Sequence, residues 1–125
     1  MTVSGIAYLS KMAKRTTGIQ DKEFRRWIAS QPCMICGQCF ISQAAHIQKG
    51  GMGIKGCDSS CRPLCADTIR GQGCHSKLDQ NKIKLPFELR QDIIDSPVYH
   101  HWQRGDMARA VYNIVRFKSD LQNYK

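Results

Sequence analysis

Two periods of apolar residues divide the chain. Between Asp21 and Ser30, Phe24, Trp27 and Ile28 fall at i, i+3 and i+4 behind early acids, which predicts a short amphipathic helix ending before Pro32. Arg25 and Arg26 lie off that stripe, where they are free to meet solvent or phosphate. From Pro32 to Leu64 the helical period disappears. Short apolar pieces, including Ala44 to Gln48, are separated by cysteines and by the run Lys49-Gly50-Gly51-Met52-Gly53-Ile54-Lys55-Gly56. This predicts a strand, a long glycine loop and a second strand. Helical patterning returns over Cys74 to Lys82, Pro86 to Ile94 and Asp106 to Leu121. In the last of these, Met107, Val111, Ile114, Val115 and Leu121 share one side, a spacing expected to pack onto the domain.

A chain of 125 residues supports one domain of ordinary size. Residues 1–16 read as a flexible basic arm and 17–125 as a single α+β domain, with its core over 32–82 and a helical C-terminal extension over 86–125. No apolar run approaches the roughly 20 residues of a membrane-spanning helix, and the start lacks the pattern of a secretory signal, so the cytoplasm is the expected compartment.

Charge narrows the class of partner. Lys and Arg number 19 against 10 Asp and Glu, a formal charge of +9. The excess is concentrated before residue 86, where 13 bases face 5 acids. A polyanion is the natural partner of such a surface. Lys49 and Lys55 in the glycine loop are candidate phosphate contacts, although the loop lacks the Gly-Lys-Ser/Thr ending of a nucleotide-binding loop.

All seven cysteines, Cys33, Cys36, Cys39, Cys57, Cys61, Cys65 and Cys74, lie within 42 consecutive residues. The odd count, the expected reducing compartment and the Cys33-Met34-Ile35-Cys36-Gly37 knuckle favour thiolate ligation of zinc over disulfides. Cys33 and Cys36 supply one half of a four-ligand site. Cys65 and Cys74 are the candidate second half, with Cys61 as the alternative, and Cys39 and Cys57 are left without a role. His75 and Asp79, four residues apart on a predicted helix, are placed to share a cation. His46 stands in Ala44-Ala45-His46-Ile47. His100 and His101 sit in helical sequence without a glycine loop or cysteines, and read as surface or interhelix residues.

The order Cys-x2-Cys-Gly, Ala-His-Ile, glycine loop, Asp, Pro-Leu-Cys and Cys-His-x3-Asp resembles the HNH, or His-Me finger, endonucleases over residues 32–82. Within that superfamily it is most similar to small phage and prophage nucleases, including the YbcO-like and Ref-like (RecA-dependent) recombination nuclease groups. The resemblance implies a zinc-stapled, treble-clef-like ββα-metal fold flanked by helices, and metal-dependent hydrolysis of DNA phosphodiester bonds in phage or prophage recombination or DNA processing within a bacterial host. It implies His46 as general base, Asp58 as the residue that orients it, and His75 with Asp79 as ligands of Mg²⁺ or Mn²⁺, with Zn²⁺ or Ni²⁺ as alternatives. Ala45 stands where many members carry a further metal ligand, so His46 is also weighed as a ligand. Lys49, Lys55, Arg70, Lys77, Arg25 and Arg26 are the expected DNA contacts, and a recombinase filament is a further candidate partner. The alternative function is a non-catalytic zinc-finger module that binds DNA or RNA.

Overall fold

The computed structural model describes residues 18–47 and 57–124. Lys49, Lys55 and the 1–16 arm lie outside them. Among the described residues the fold is a small α+β arrangement, a β-hairpin preceded by one helix and followed by five.

Helix α1 (Lys22–Ala29) starts where Asp21 Oδ1 accepts from Phe24 N at 3.0 Å, satisfying one of the free amides of its first turn. Phe24 and Ile28 are buried, as their spacing predicts. The knuckle follows. Gly37 takes φ +79°, a left-handed conformation that side chains resist, and its N–H donates to Cys33 O at 2.8 Å. Met34 N–H donates to Pro63 O at 2.8 Å, which docks the knuckle against the second strand.

Strand β1 (Ser42–His46) pairs antiparallel with β2 (Cys61–Cys65), in a register that sets Ser42 opposite Cys65 and His46 opposite Cys61. A 3-10 turn, Asp58–Ser60, leads into β2. All five residues of β2 are buried, because helices close on it from both faces. Arg62 is among them. Its guanidinium donates to the carbonyls of Ser59, Cys61, Ile93 and Ser96 at 2.8 to 3.2 Å and to Ser96 Oγ at 3.1 Å. Ile93 and Ser96 lie at the C-terminal end of the helix Phe87–Asp95, so a cation meets the negative pole of that helix. Burial lowers the Arg62 pKa to about 10, so it remains charged at neutral pH.

Helix α2 (Cys74–Asp79) is followed by α3 (Phe87–Asp95), α4 (Val98–Gln103), α5 (Met107–Val115) and α6 (Lys118–Gln122). The core joins Phe24, Ile28, Ile35, Ile47, Leu64, Leu78, Ile93, Val98, Ile114 and Leu121. Phe24 also packs edge-on to Tyr99 and Trp102 of α4, with ring centroids 4.8 and 5.2 Å away. Among the described residues no helix is long and apolar enough to cross a membrane.

Two sequence expectations are corrected. The helix predicted over 106–121 is broken between α5 and α6 at Arg116 and Phe117, and Phe117 turns inward. The break redirects α6 so that Leu121 reaches the core and Gln122 Nε2 donates to Ile35 O at 2.6 Å. Ala110, Asn113 and Ile114 therefore form the buried side of α5, while Met107 and Val115 are exposed. Helix α4 was given no bounds in the sequence reading, which placed it only within the helical extension over 86–125. It carries His100 and His101, whose rings meet edge-on with centroids 5.3 Å apart.

Candidate functional site

One end of the hairpin gathers four thiols. The Sγ atoms of Cys33, Cys36, Cys65 and Cys74 all lie within 4.8 Å of one another, a spacing that lets one tetrahedral cation bind all four. Cys65 ends β2 and sits 3.6 Å from Cys36, sulfur to sulfur. The eight residues between Cys65 and Cys74 fold into a closed turn. Thr68 and Gly71 exchange backbone hydrogen bonds at 3.0 Å, and Gly73 N–H donates to Asp67 Oδ1 at 2.8 Å. Gly73 is required there, since a Cβ would fall 2.3 Å from the carbonyl oxygens of Cys65 and Ala66. The loop thus returns Cys74 to Cys65, and Cys74 N–H donates to Cys65 Sγ at 3.1 Å.

The thiols hold their protons unequally. A hydrogen bond from Cys74 outweighs burial and draws the Cys33 pKa down to about 4. The same bond, then burial, pushes Cys74 far up, and burial raises Cys65. One ionised sulfur suppresses ionisation of its neighbours, and a divalent cation removes that conflict by displacing their protons. The donor set fits zinc. Cys61 was the alternative ligand, and the register excludes it: it stands opposite His46 at the far end of β2, about 13 Å along the strand from Cys65.

The other end of the hairpin gathers His46, Asp58 and Cys61, whose ligand-capable atoms also lie within 4.8 Å of one another. Asp58 is only 1% exposed, and its carboxylate faces an amide, an imidazole and a guanidinium. Its Oδ1 lies 2.7 Å from His46 Nε2. Its Oδ2 accepts from Asp21 N at 2.6 Å and pairs with Arg25 Nε at 3.0 Å. Asp21, besides capping α1, accepts from Tyr99 OH at 2.8 Å. One buried carboxylate therefore ties α1, β1 and the 3-10 turn together, and Asp21 extends the network to α4. Because a carboxylate can only accept, Nε2 is the nitrogen of His46 that donates to Asp58, and Nδ1 is the nitrogen turned away from it. The His46 side chain is 32% exposed, enough to meet a solvent molecule. Just beyond it, Arg90 Nη1 donates to Ile47 O at 2.8 Å and fixes the strand end. Burial first, then the charge of Asp58, pushes the Cys61 thiol up to about 12 and keeps it protonated.

His75 and Asp79 share a face of α2, with Nε2 and Oδ2 3.5 Å apart. His75 Nδ1 also lies 2.8 Å from Gln43 Oε1. Side chains alternate along β1, so Gln43 and His46 point to opposite faces. Among the described residues, His46, weighed as a further ligand, is grouped with Asp58 and Cys61 and not with His75 or Asp79. Arg25 Nε is buried against Asp58, while its side chain remains 43% exposed. Arg26 is exposed and pairs with Glu23 at 3.4 Å. Arg70 and Lys77 are exposed, as the sequence suggests.

Sequence reasoning did not find Asp21, Tyr99, Arg62 or Arg90. Asp21 was legible as a helix cap, but nothing local announced that its N–H would serve Asp58 from 37 residues away. Compared with protein families, with curated proteins and with solved structures, the chain finds no match.

Proposed function

We propose that the chain is a zinc-stapled, metal-dependent endonuclease of the HNH type, hydrolysing DNA phosphodiester bonds in the phage or prophage setting that its motifs suggest. The observation that carries this reading is the His46–Asp58 pair: a partly exposed imidazole held at 2.7 Å by a carboxylate that is itself buried. Such a pair is suited to general-base work, because the carboxylate holds the ring in one orientation with its other nitrogen free to meet water. His46 Nδ1 takes the proton of the attacking water. Asp58 orients the ring and stabilises the imidazolium that results. His75 and Asp79 would hold a divalent cation on their own face of the hairpin, and that cation would supply charge stabilisation to a phosphate bound beside it. Arg70 and Lys77, with a chain charge of +9, attract the DNA backbone without reading its sequence.

The experiment is nicking of supercoiled plasmid by the zinc-loaded chain with Mg²⁺, Mn²⁺ or EDTA, alongside Asp79→Asn. Cleavage that needs the added cation and falls in the variant supports the reading. A second reading, a non-catalytic zinc module that binds nucleic acid, is favoured by one observation, the separation of His46 from the His75–Asp79 pair. Salt-sensitive DNA binding with no cutting under any cation would establish it.

A further inference from the structure

Two large apolar side chains stand fully in solvent at the cysteine end of the hairpin. Phe40 is 100% exposed and Ile69 is 105% exposed. Both sit in unfavourable places for their chemistry. Phe40 has φ +69°, a left-handed conformation that bulky residues avoid, so the backbone there is strained in order to present a ring to water. Ile69 occupies the tip of the Thr68–Gly71 turn, where asparagine, aspartate or glycine is usual. That turn is built to hold its shape. Its two backbone bonds are 3.0 Å long, Arg70 N–H donates to Thr68 Oγ1 at 3.1 Å, and the Asp67–Gly73 bond closes its base.

The backbone places the two on adjoining segments. Ala66 N–H donates to Ile41 O at 2.8 Å, which continues the strand register one step beyond Ser42 and Cys65. Phe40 therefore borders the segment that leads to Ile69, at the end of the hairpin opposite His46. Arg70, next to Ile69, is exposed and makes no ion pair among the described residues. An isolated exposed apolar residue needs no explanation. A strained aromatic, a rigidly displayed isoleucine and a free-standing cation on one edge of a chain with charge +9 are a different matter.

Building on the proposed action on DNA, we infer that Phe40, Ile69 and Arg70 form a base-stacking edge that selects DNA with unpaired bases over fully paired duplex. The Phe40 ring stacks on an exposed base, Ile69 packs against the neighbouring base or sugar, and Arg70 meets the phosphate. Such contacts are open to any base, because every base offers a π-face, and closed to bases held inside a duplex. The edge thereby confers structure preference without sequence preference.

The test is fluorescence anisotropy with a labelled dT oligonucleotide and a mixed-sequence duplex of equal length, using zinc-loaded full chain at fixed salt. Wild type is expected to bind the single strand about tenfold or more tightly than the duplex. Phe40→Gly is the informative variant, because glycine accepts the left-handed backbone. It should raise the melting temperature while weakening single-strand binding about tenfold and leaving duplex binding within twofold. Ile69→Ser should weaken single-strand binding by a smaller factor, and Phe40→Tyr should preserve it. Unchanged single-strand affinity in Phe40→Gly, with wild type still binding DNA, would overturn the stacking edge alone. So would concentration-dependent self-association that Phe40→Gly abolishes without affecting DNA affinity. Wild type that binds neither DNA would overturn both this inference and the action on DNA from which it proceeds.

Discussion

The two ends of the hairpin hold side chains in place by different means. At the cysteine end, four thiols converge with little else to fix them beyond a knuckle, a closed turn and the Cys74 N–H to Cys65 bond. At the histidine end, one buried carboxylate is held by an imidazole, a backbone amide and an arginine, and its neighbours reach two helices. The first end is a site that a cation completes. The second is held by the chain's own hydrogen bonds and an ion pair. On the proposed function, stability rests mainly on one end and proton transfer on the other, and each part can be broken separately.

The largest effect is expected from removing the cation. Structural zinc in small domains contributes roughly 10–16 kcal/mol, comparable with or larger than the whole stability of a domain this size. Chelation, or Cys65→Ser, should therefore abolish the cooperative thermal transition followed by circular dichroism, with loss of about one zinc per chain by elemental analysis. A chain that melts normally without metal would make the four thiols incidental.

At the other end, Asp58→Ala strands the Asp21 amide and leaves Arg25 and His46 without their carboxylate. Its cost is about 3–5 kcal/mol in denaturant unfolding, with zinc content retained. Asp58→Asn should cost less, because its amide oxygen still accepts. Equal losses in the two variants would mean that the cavity, and not the lost acceptor, sets the cost.

Smaller effects sharpen the contrast. Gly37→Ala forces a Cβ onto φ +79°, with only Lys118 Nζ nearby at 3.5 Å, so the cost is conformational, about 1–2 kcal/mol. Smallest of all is an alkaline effect at the histidine end. Burial, then the bond to Asp21, pushes the Tyr99 hydroxyl from 10.0 up to about 12. A raised folded pKa means that its stabilisation is fully present below pH 10 and is lost as pH rises through about 12. Denaturant titrations between pH 9 and 12 should show a shallower alkaline decline for Tyr99→Phe than for wild type. Parallel curves would remove Tyr99 from the network.

The contrast also explains what could be read in advance. Cys33, Cys36, Cys65 and Cys74 were legible because thiolate ligation imposes spacing and clustering on the sequence. Helix α1 was legible because Phe24, Trp27 and Ile28 keep a helical period and Asp21 caps it. The sequence put Cys74 ahead of Cys61 without excluding the latter; what excludes it is the strand register and the Gly73 turn that folds eight residues back. Arg62 was read only as charge, and nothing in Cys61-Arg62-Pro63 signals a guanidinium buried against the end of α3. The break at Phe117 was missed because one apolar stripe can serve one helix or two, and only packing decides. His46, Asp58, His75 and Asp79 were visible as residues. Their division between opposite faces of β1 follows from the alternation of Gln43 and His46 and needed the strand boundaries to be known.

The central claim is that His46 acts as the base, and the plasmid-nicking rate of His46→Ala at saturating Mg²⁺ or Mn²⁺ tests it most directly, with zinc content and melting temperature matched to wild type. The account predicts wild-type cleavage and a loss of about 10²- to 10⁴-fold in the variant. A variant that cuts at the wild-type rate would contradict it.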